Sequence, residues 1–320
     1  MKAIVQDRFG DADVLELRDV EEPVPGEGEA RVQVRAAGAG PDVWHLMTGR
    51  PYFVRLMPGF YKWRSNARGR DVSGFVESVG PSVSSLAPGD AVMGIAEGSF
   101  AELAVAKADL LVPKPARLSF EEAAAVPISG LTALHAVRDV AEVRAGQRVL
   151  VIGAAGGVGT LTVQIAKAFG AHVTGVCSTS KLELVRSLGA DDVIDYTRDE
   201  LSGTWDAIVD TAGRRPLHVL RRLLSPTGTL AIAGGEGGGR FTGGLFRQIL
   251  RAPVLSLFGK QKLRPVISKE VRDDLVAVTE LVERGDVTPV VDRTFPLVDA
   301  ADAIRYLEHG HAAGKVVVTV

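Results

Sequence analysis

The stretch "VLVIGAAGGVG", Val149 to Gly159, constrains this chain more than any other. A strand-like apolar run breaks at Gly153 into four glycines within seven residues, then continues with Val158, Leu161, Ile165 and Phe169 at helical spacing before a stop at Gly170. Strand, glycine turn and helix in that order form the context of a dinucleotide-binding βα unit. Glycines there allow a tight turn and a close approach to a pyrophosphate, whose charge meets the free N–H groups at the helix N-terminus. A plain glycine-rich βα turn is the competing reading, and the downstream sequence argues against it. "HVTGV", "DVIDY", "DAIVD" and "TLAIAG" alternate with helical stretches at Lys181 to Leu188 and near Leu217 to Leu224, and "PVLSLF" is a further candidate strand. Apolar strands separated by amphipathic helices predict a parallel sheet covered on both faces. The expected phosphate cradle is Gly153, Ala155, Gly156, Gly157 and Val158.

The loop sits almost halfway along 320 residues, so a second domain is expected around it. From Met1 to about Pro115 the pattern is of short β-like runs split by Gly and Pro, such as "KAIV", "ARVQVRAAG" and "GFVESVG", which suggests a barrel or sandwich. The texture changes at Ser119, where Ser119 and Glu122 have capping-box spacing. Beyond Phe258 a helical stretch, "RTFPLVDAADAIRYLEHG" and a last strand "KVVVTV" are expected to return to the first domain. The expected division is residues 1–120 with 262–320 as a substrate domain, and 121–261 as the nucleotide domain.

Composition narrows the partners. Hydrophobic residues make up 46% of the chain, charged residues 24%, and the formal net charge is -2, so neither nucleic acid nor an acidic membrane is expected. No segment approaches the roughly 18 apolar residues of a membrane helix, and the first ten residues lack a signal-like apolar core, so a cytoplasmic location is the default expectation. The partner expected is a small molecule. A single cysteine, Cys177, rules out an intramolecular disulfide and any site of several thiolates.

The loop reads G-x-x-G-x-x-G rather than G-x-G-x-x-G, and in this it resembles the zinc-independent medium-chain reductases of the quinone oxidoreductase family. "GRDVSGFVESVG", "PGDAVMG", "EEAAAVPISGLTALHAV", the segment Gly153 to Tyr196 and "GHAAGKVVVTV" are similar to that family in the same order along nearly the whole chain. The resemblance implies a GroES-like β-barrel domain plus a Rossmann domain, a cleft-bound NADP(H), and a homodimer paired through an edge strand of the Rossmann sheet. By resemblance Ser178, Lys181 and Tyr196 contact the adenosine end of the cofactor, while Thr132, Gly234, His311 and Ala312 line the rest.

An NAD enzyme of this fold carries Asp or Glu at the end of the second strand, for the ribose 2'-hydroxyl. Here that place reads "GVCSTSKLE", with no acid before Glu183. Hydroxyls from Ser178, Thr179 and Ser180 and the Lys181 cation suit a 2'-phosphate. Ser180 and Glu183 also have capping-box spacing, so helix capping by Ser180 is a parallel reading.

Zinc relatives take a Cys from the first domain and a His from a "GHE" sequence. The corresponding stretches here are "RAAGAGPDVWHL" and "GRDVSG", so Arg70 and Asp71 replace the His-Glu pair and His45 is a lone leftover. No metal is expected. Hydride transfer to an already activated acceptor, a quinone or an α,β-unsaturated carbonyl, then needs only donors aimed at the developing oxyanion. The segment Trp44 to Arg64 is dense in aromatics and cations, including Tyr52, Tyr61, Lys62, Trp63 and Arg64. Tyr52 is the expected donor and Trp44 a pocket wall, with simple packing as the competing role. The family often carries Asn where this chain has Ala39 and Gly40. The alternative function is an NADPH-binding sensor or assembly protein with little turnover.

Overall fold

Arg148–Ile152, Gly157–Ala168 and His172–Cys177 form a strand, a helix and a second strand, as the glycine loop requires. The structure, a computed structural model, describes residues 1–52, 67–234, 251–252, 255–256, 259–310 and 312–320.

In chain order, β1 (Lys2–Val5) and β2 (Glu16–Asp19) pair as an antiparallel ribbon. β3 (Glu29–Ala39) leads into α1 (Pro41–Thr48), followed by β4 (Asp71–Val79), β5 (Ala91–Ile95), β6 (Leu103–Lys107) and β7 (Leu111–Pro113). Next are α2 (Phe120–Ala124), α3 (Pro127–Leu134), β8 (Arg148–Ile152), α4 (Gly157–Ala168) and β9 (His172–Cys177). α5 (Leu182–Ser187), β10 (Asp192–Asp195), β11 (Trp205–Asp210), α6 (Leu217–Arg222), β12 (Leu224–Ile232) and β13 (Lys262–Pro265) follow. α7 (Arg272–Glu283), β14 (Val291–Pro296), α8 (Ala300–Glu308) and β15 (Lys315–Thr319) complete the chain.

The chain divides into two compact units, 1–128 with 270–283 and 289–320, and 129–269 with 284–288. In the first unit the strands run β14-β15-β3-β4-β5-β7, with β6 also on β3. The C-terminal β15 pairs antiparallel with β3, which is how the tail rejoins the first unit. Its core gathers Val32, Met47, Phe100, Leu111, Ile304 and Val316. Ser119 caps α2 as its sequence predicts: the hydroxyl accepts from Glu122 N–H at 3.1 Å and the Glu122 carboxylate accepts from Ser119 N–H at 2.8 Å.

The second unit is a parallel sheet in the order β10-β9-β8-β11-β12-β13, the doubly wound arrangement. Val149, Leu150, Val151 and Ile152 are at most 1% exposed, so both faces of β8 are covered, and each side chain contributes roughly 1.5–3 kcal/mol of burial. α4 also buries polar residues, and their hydrogen bonds are made within the unit: Gln164 donates to Thr160 O and Thr288 O and accepts from Thr288 N–H.

The structure moves two boundaries. Residues 121–128 lie with the first unit and 262–269 with the second, where β13 hydrogen-bonds to β12 as the sixth strand; the short segment 284–288 also lies with the second unit. Among the described residues the strand at this edge is "KLRP". Of "PVLSLF", Leu255 and Ser256 are helical, and residues 253–254 and 257–258 lie outside the described set. A short apolar run fits a strand or a buried helical turn equally well. Leu255 packs on the core, and Ser256 Oγ donates to Ala252 O as a helical residue does.

Candidate cofactor site

All six strands of the parallel sheet end on one edge, and the order of the strands reverses between β8 and β11. Ligands of open α/β sheets bind in the crevice at such a reversal. Gly153 follows β8 with φ +79°, a conformation that L side chains rarely adopt, and a Cβ there would lie 2.6 Å from Thr211 Oγ1. The Thr211 hydroxyl donates to Ile152 O at 2.8 Å, tying the loop after β11 to the turn after β8.

Gly156 is the N-cap of α4, with no side chain capping it. The first-turn N–H groups, from Gly157, Val158 and Gly159, have no acceptor within the helix. A Cβ on Gly156 would meet only Gly153 O, at 3.5 Å, whereas one on Gly159 would lie 2.0 Å from the same oxygen. Gly159 thus serves helix–turn packing, whereas the space beside Gly156 is open. Ala155 is buried beneath the turn at 3% exposure. A pyrophosphate fits this donor set and this open glycine.

Ser178 follows β9 and Tyr196 follows β10, with Tyr196 N–H donating to Cys177 O at 3.1 Å. Lys181 ends a 3-10 turn, Thr179–Lys181, and its charge is felt by the buried Cys177 thiol, whose pKa burial and Asp195 push up against it. Two sequence expectations change here. Lys181 is the N-cap of α5 and no side chain caps it, so the Ser180–Glu183 capping box does not form. The Thr179 hydroxyl donates to Asp195 and is not an open phosphate donor. Asp195 is 5% exposed, and the Thr179 and Thr197 hydroxyls hold its carboxyl below the usual range. The acid near the second strand's end is therefore already hydrogen-bonded, which spacing along the chain could not reveal.

Gly234 follows β12, and a Cβ there would lie 2.1 Å from Thr211 O, so this glycine is required by close approach to the β11 loop. Thr132 is half-buried on α3 in the same unit. Ala312 belongs to the first unit and packs on its core, while His311 lies outside the described residues.

Nothing in the spacing of the motifs pointed to Asp210. It is fully buried at the end of β11; its Oδ1 accepts from Ala212 N–H and Gly213 N–H at 3.1 and 3.0 Å, while Oδ2 has no hydrogen-bond partner among the described residues. Burial pushes its pKa up against those two N–H groups and Arg215. A carboxyl with a raised folded-state pKa gains stability as pH falls through that pKa toward the unfolded value, and costs stability above it. Asp210→Asn keeps the Oδ1 acceptor, so its melting temperature should equal or exceed wild type at pH 7.5, with the gap narrowing at pH 4.5. Asp210→Ala should lose about 1–3 kcal/mol by orphaning two N–H groups. If Asp210→Asn melted lower at both pH values, a donor must hold Oδ2.

In the first unit, Arg70 donates to Glu270 at 2.5 Å and Asp71 Oδ2 accepts from Lys315 Nζ at 2.7 Å. The positions that carry His and Glu in zinc relatives therefore hold two ion pairs. A Cβ on Gly40 would lie 2.5 Å from Asp42 Oδ1 and 3.2 Å from Lys315 Nζ, so charged groups occupy the space an asparagine would need. Trp44 donates its indole N–H to Glu308 at 2.6 Å and packs on the core. His45 Nδ1 lies 2.7 Å from Arg50 O. Among the described residues no group of three His, Cys, Asp or Glu could hold a metal. Tyr52 is half-buried; Tyr61, Lys62, Trp63 and Arg64 lie outside the described residues. No helix among the described residues is long and apolar enough to cross a membrane.

Residues 26–116 match the alcohol dehydrogenase GroES-like domain, and residues 188–318 the zinc-binding dehydrogenase model, a stretch without cysteine here. The chain is 33% identical to a chloroplast envelope quinone oxidoreductase homolog of Arabidopsis thaliana, over 97% of this chain and 95% of that one. An NAD-dependent alcohol dehydrogenase structure superposes with a TM-score of 0.88 at 30% identity, covering 100% of both chains. A mycobacterial protein solved with NADPH gives 0.84 at 27%, also covering 100% of both. Full-length similarity, a GroES-like first domain and a doubly wound second one converge: the chain belongs to the quinone oxidoreductase family of medium-chain dehydrogenases/reductases.

Proposed function

We propose that the chain is an NADP(H)-dependent reductase of quinones or α,β-unsaturated carbonyls that works without a metal. The fold does not select the cofactor, since neighbours of nearly equal similarity are named for NAD and for NADPH. The observation that carries the choice is the end of β9, where Ser178 and Lys181 stand with no open carboxylate because Asp195 already accepts from Thr179 and Thr197. A cation there favours a 2'-phosphate, and no acid is free to take the 2'-hydroxyl of NAD.

A dinucleotide held by its pyrophosphate at the glycine turn would supply the hydride from its nicotinamide ring. The chain's part is to hold the pyrophosphate on the Gly157 and Val158 N–H groups and the adenosine end by Ser178, Lys181 and Tyr196. Tyr52 supplies the phenol donor for the acceptor's oxygen in this reading. Trp44, its indole N–H taken by Glu308, serves as a wall.

Two measurements test this. Lys181→Ala should weaken NADPH roughly 10- to 100-fold, the worth of a charged hydrogen bond, and NADH by no more than about twofold. Equal losses would remove Lys181 from the 2'-phosphate. Purified protein should also oxidise NADPH with some member of a panel of quinones, enals and enoyl thioesters; binding of NADPH with no hydride transfer, even in a single turnover, would favour the sensor reading instead.

A further inference from the structure

The β10-β9-β8-β11 order places the residues after β10 and after β11 three strand spacings apart, about 14 Å. Tyr196 follows β10 and Arg215 lies in the loop after β11, yet Arg215 Cζ is 5.9 Å from the centre of the Tyr196 ring, within cation–π range. The two side chains therefore reach toward each other across the ends of β9 and β8, the strands followed by Ser178 and by the Gly153–Gly157 turn.

The segment that carries Arg215 has charge of one sign. Thr211 to Gly234 contains no acidic residue, and among the described residues Arg215 makes its contact with the Tyr196 ring rather than with a carboxylate. The carboxylate that feels it, Asp210, is fully buried with Oδ1 already accepting two N–H groups. Tyr196 keeps 51% of its surface exposed, unusual for a large side chain in this unit and consistent with a ring that waits for a planar partner. A guanidinium offers a rigid fork of donors that matches a phosphate in a way that a lysine does not.

We propose that Tyr196 and Arg215 form a clasp over the adenosine end of the cofactor, with Arg215 acting beside Lys181 as a second cation for the 2'-phosphate. This rests on the NADP(H) reading above. Binding adds charge-assisted hydrogen bonds from Arg215 to the phosphate and leaves the Tyr196 ring available to stack on the base.

The test is titration of the full chain with NADPH, NADH and 2',5'-ADP. Arg215→Gln, which keeps bulk and polarity, and Arg215→Ala should each weaken NADPH and 2',5'-ADP on the order of tenfold or more, and NADH by no more than about threefold. Tyr196→Phe should leave all three ligands within about twofold, whereas Tyr196→Ala should weaken all of them. Equal losses for NADPH and NADH in both Arg215 variants, or no loss in either, would overturn the clasp. If wild type itself failed to prefer NADPH, the NADP(H) reading would fall and the clasp with it. If wild type preferred NADPH and Lys181→Ala erased that preference while Arg215→Gln kept it, the clasp alone would be wrong.

Discussion

Lys315→Met should cost the fold about 3–5 kcal/mol, the usual effect of removing one partner of a buried ion pair. Lys315 and Asp71 side chains are 6% and 1% exposed, with 2.7 Å between Nζ and Oδ2. Asp71 Oδ1 accepts from Ile128 N–H at 2.7 Å, so without the ammonium the carboxylate would keep that one N–H and lose its counter-charge. The cluster is built into the sheet: a Cβ on Gly38 would lie 2.6 Å from Ala124 O and 2.7 Å from both Asp71 Oδ2 and Lys315 Cε. Burial draws the Lys315 pKa down, but Asp71 and Asp42 outweigh it and hold it above the usual value. A raised lysine pKa gives stability that is fully present below the unfolded value, roughly 10.4, and is lost only as pH rises through the folded value. Urea unfolding at pH 7 should therefore show the full deficit. Adding Asp71→Asn to Lys315→Met should recover most of it, since the lone buried charge is then gone. A double variant as unstable as the single one would mean that shape, not charge, is what Lys315 provides.

Gly159→Ala and Gly156→Ala should separate the fold from the ligand within one turn. At Gly159 the new Cβ would start 2.0 Å from Gly153 O and 2.8 Å from its carbonyl carbon, so backbone must move. The expected loss is about 1–3 kcal/mol or more of stability, together with a collapse of NADPH binding on the order of a hundredfold. At Gly156, φ -84° and ψ 174° suit alanine and the nearest atom stands 3.5 Å away, so thermal stability should be unchanged. The methyl group would instead intrude where the pyrophosphate must approach, and NADPH should weaken with no change in melting temperature. A Gly156→Ala variant that binds NADPH as wild type does would place the phosphate elsewhere.

The strand-turn-helix at Val149 to Gly159 was legible because each part obeys a local rule: apolar run, glycines, helical periodicity. The same holds for the Ser119 cap. "PVLSLF" and the Ser180 cap were misread, for a common reason. Both patterns are satisfied by more than one local structure, and partners outside the pattern decide between them: Leu263 N–H beside Ser256, and Asp195 beside Thr179. Gly40 looked like a missing amide from its position alone; the structure fills that space with Asp42 and Lys315.

The parallel-sheet domain, its glycine turn, the absence of an acid just after the second strand and the return of the C-terminal strand to the first domain are all readable along the chain. These depend on composition and spacing within a few residues, or on an apolar pattern with one stable outcome. Strand order settles which carboxylates are already hydrogen-bonded, which glycines are pressed by backbone and which face open space, and that Arg215 meets Tyr196. Those outcomes depend on strand order, which brings together side chains that no spacing along the chain relates.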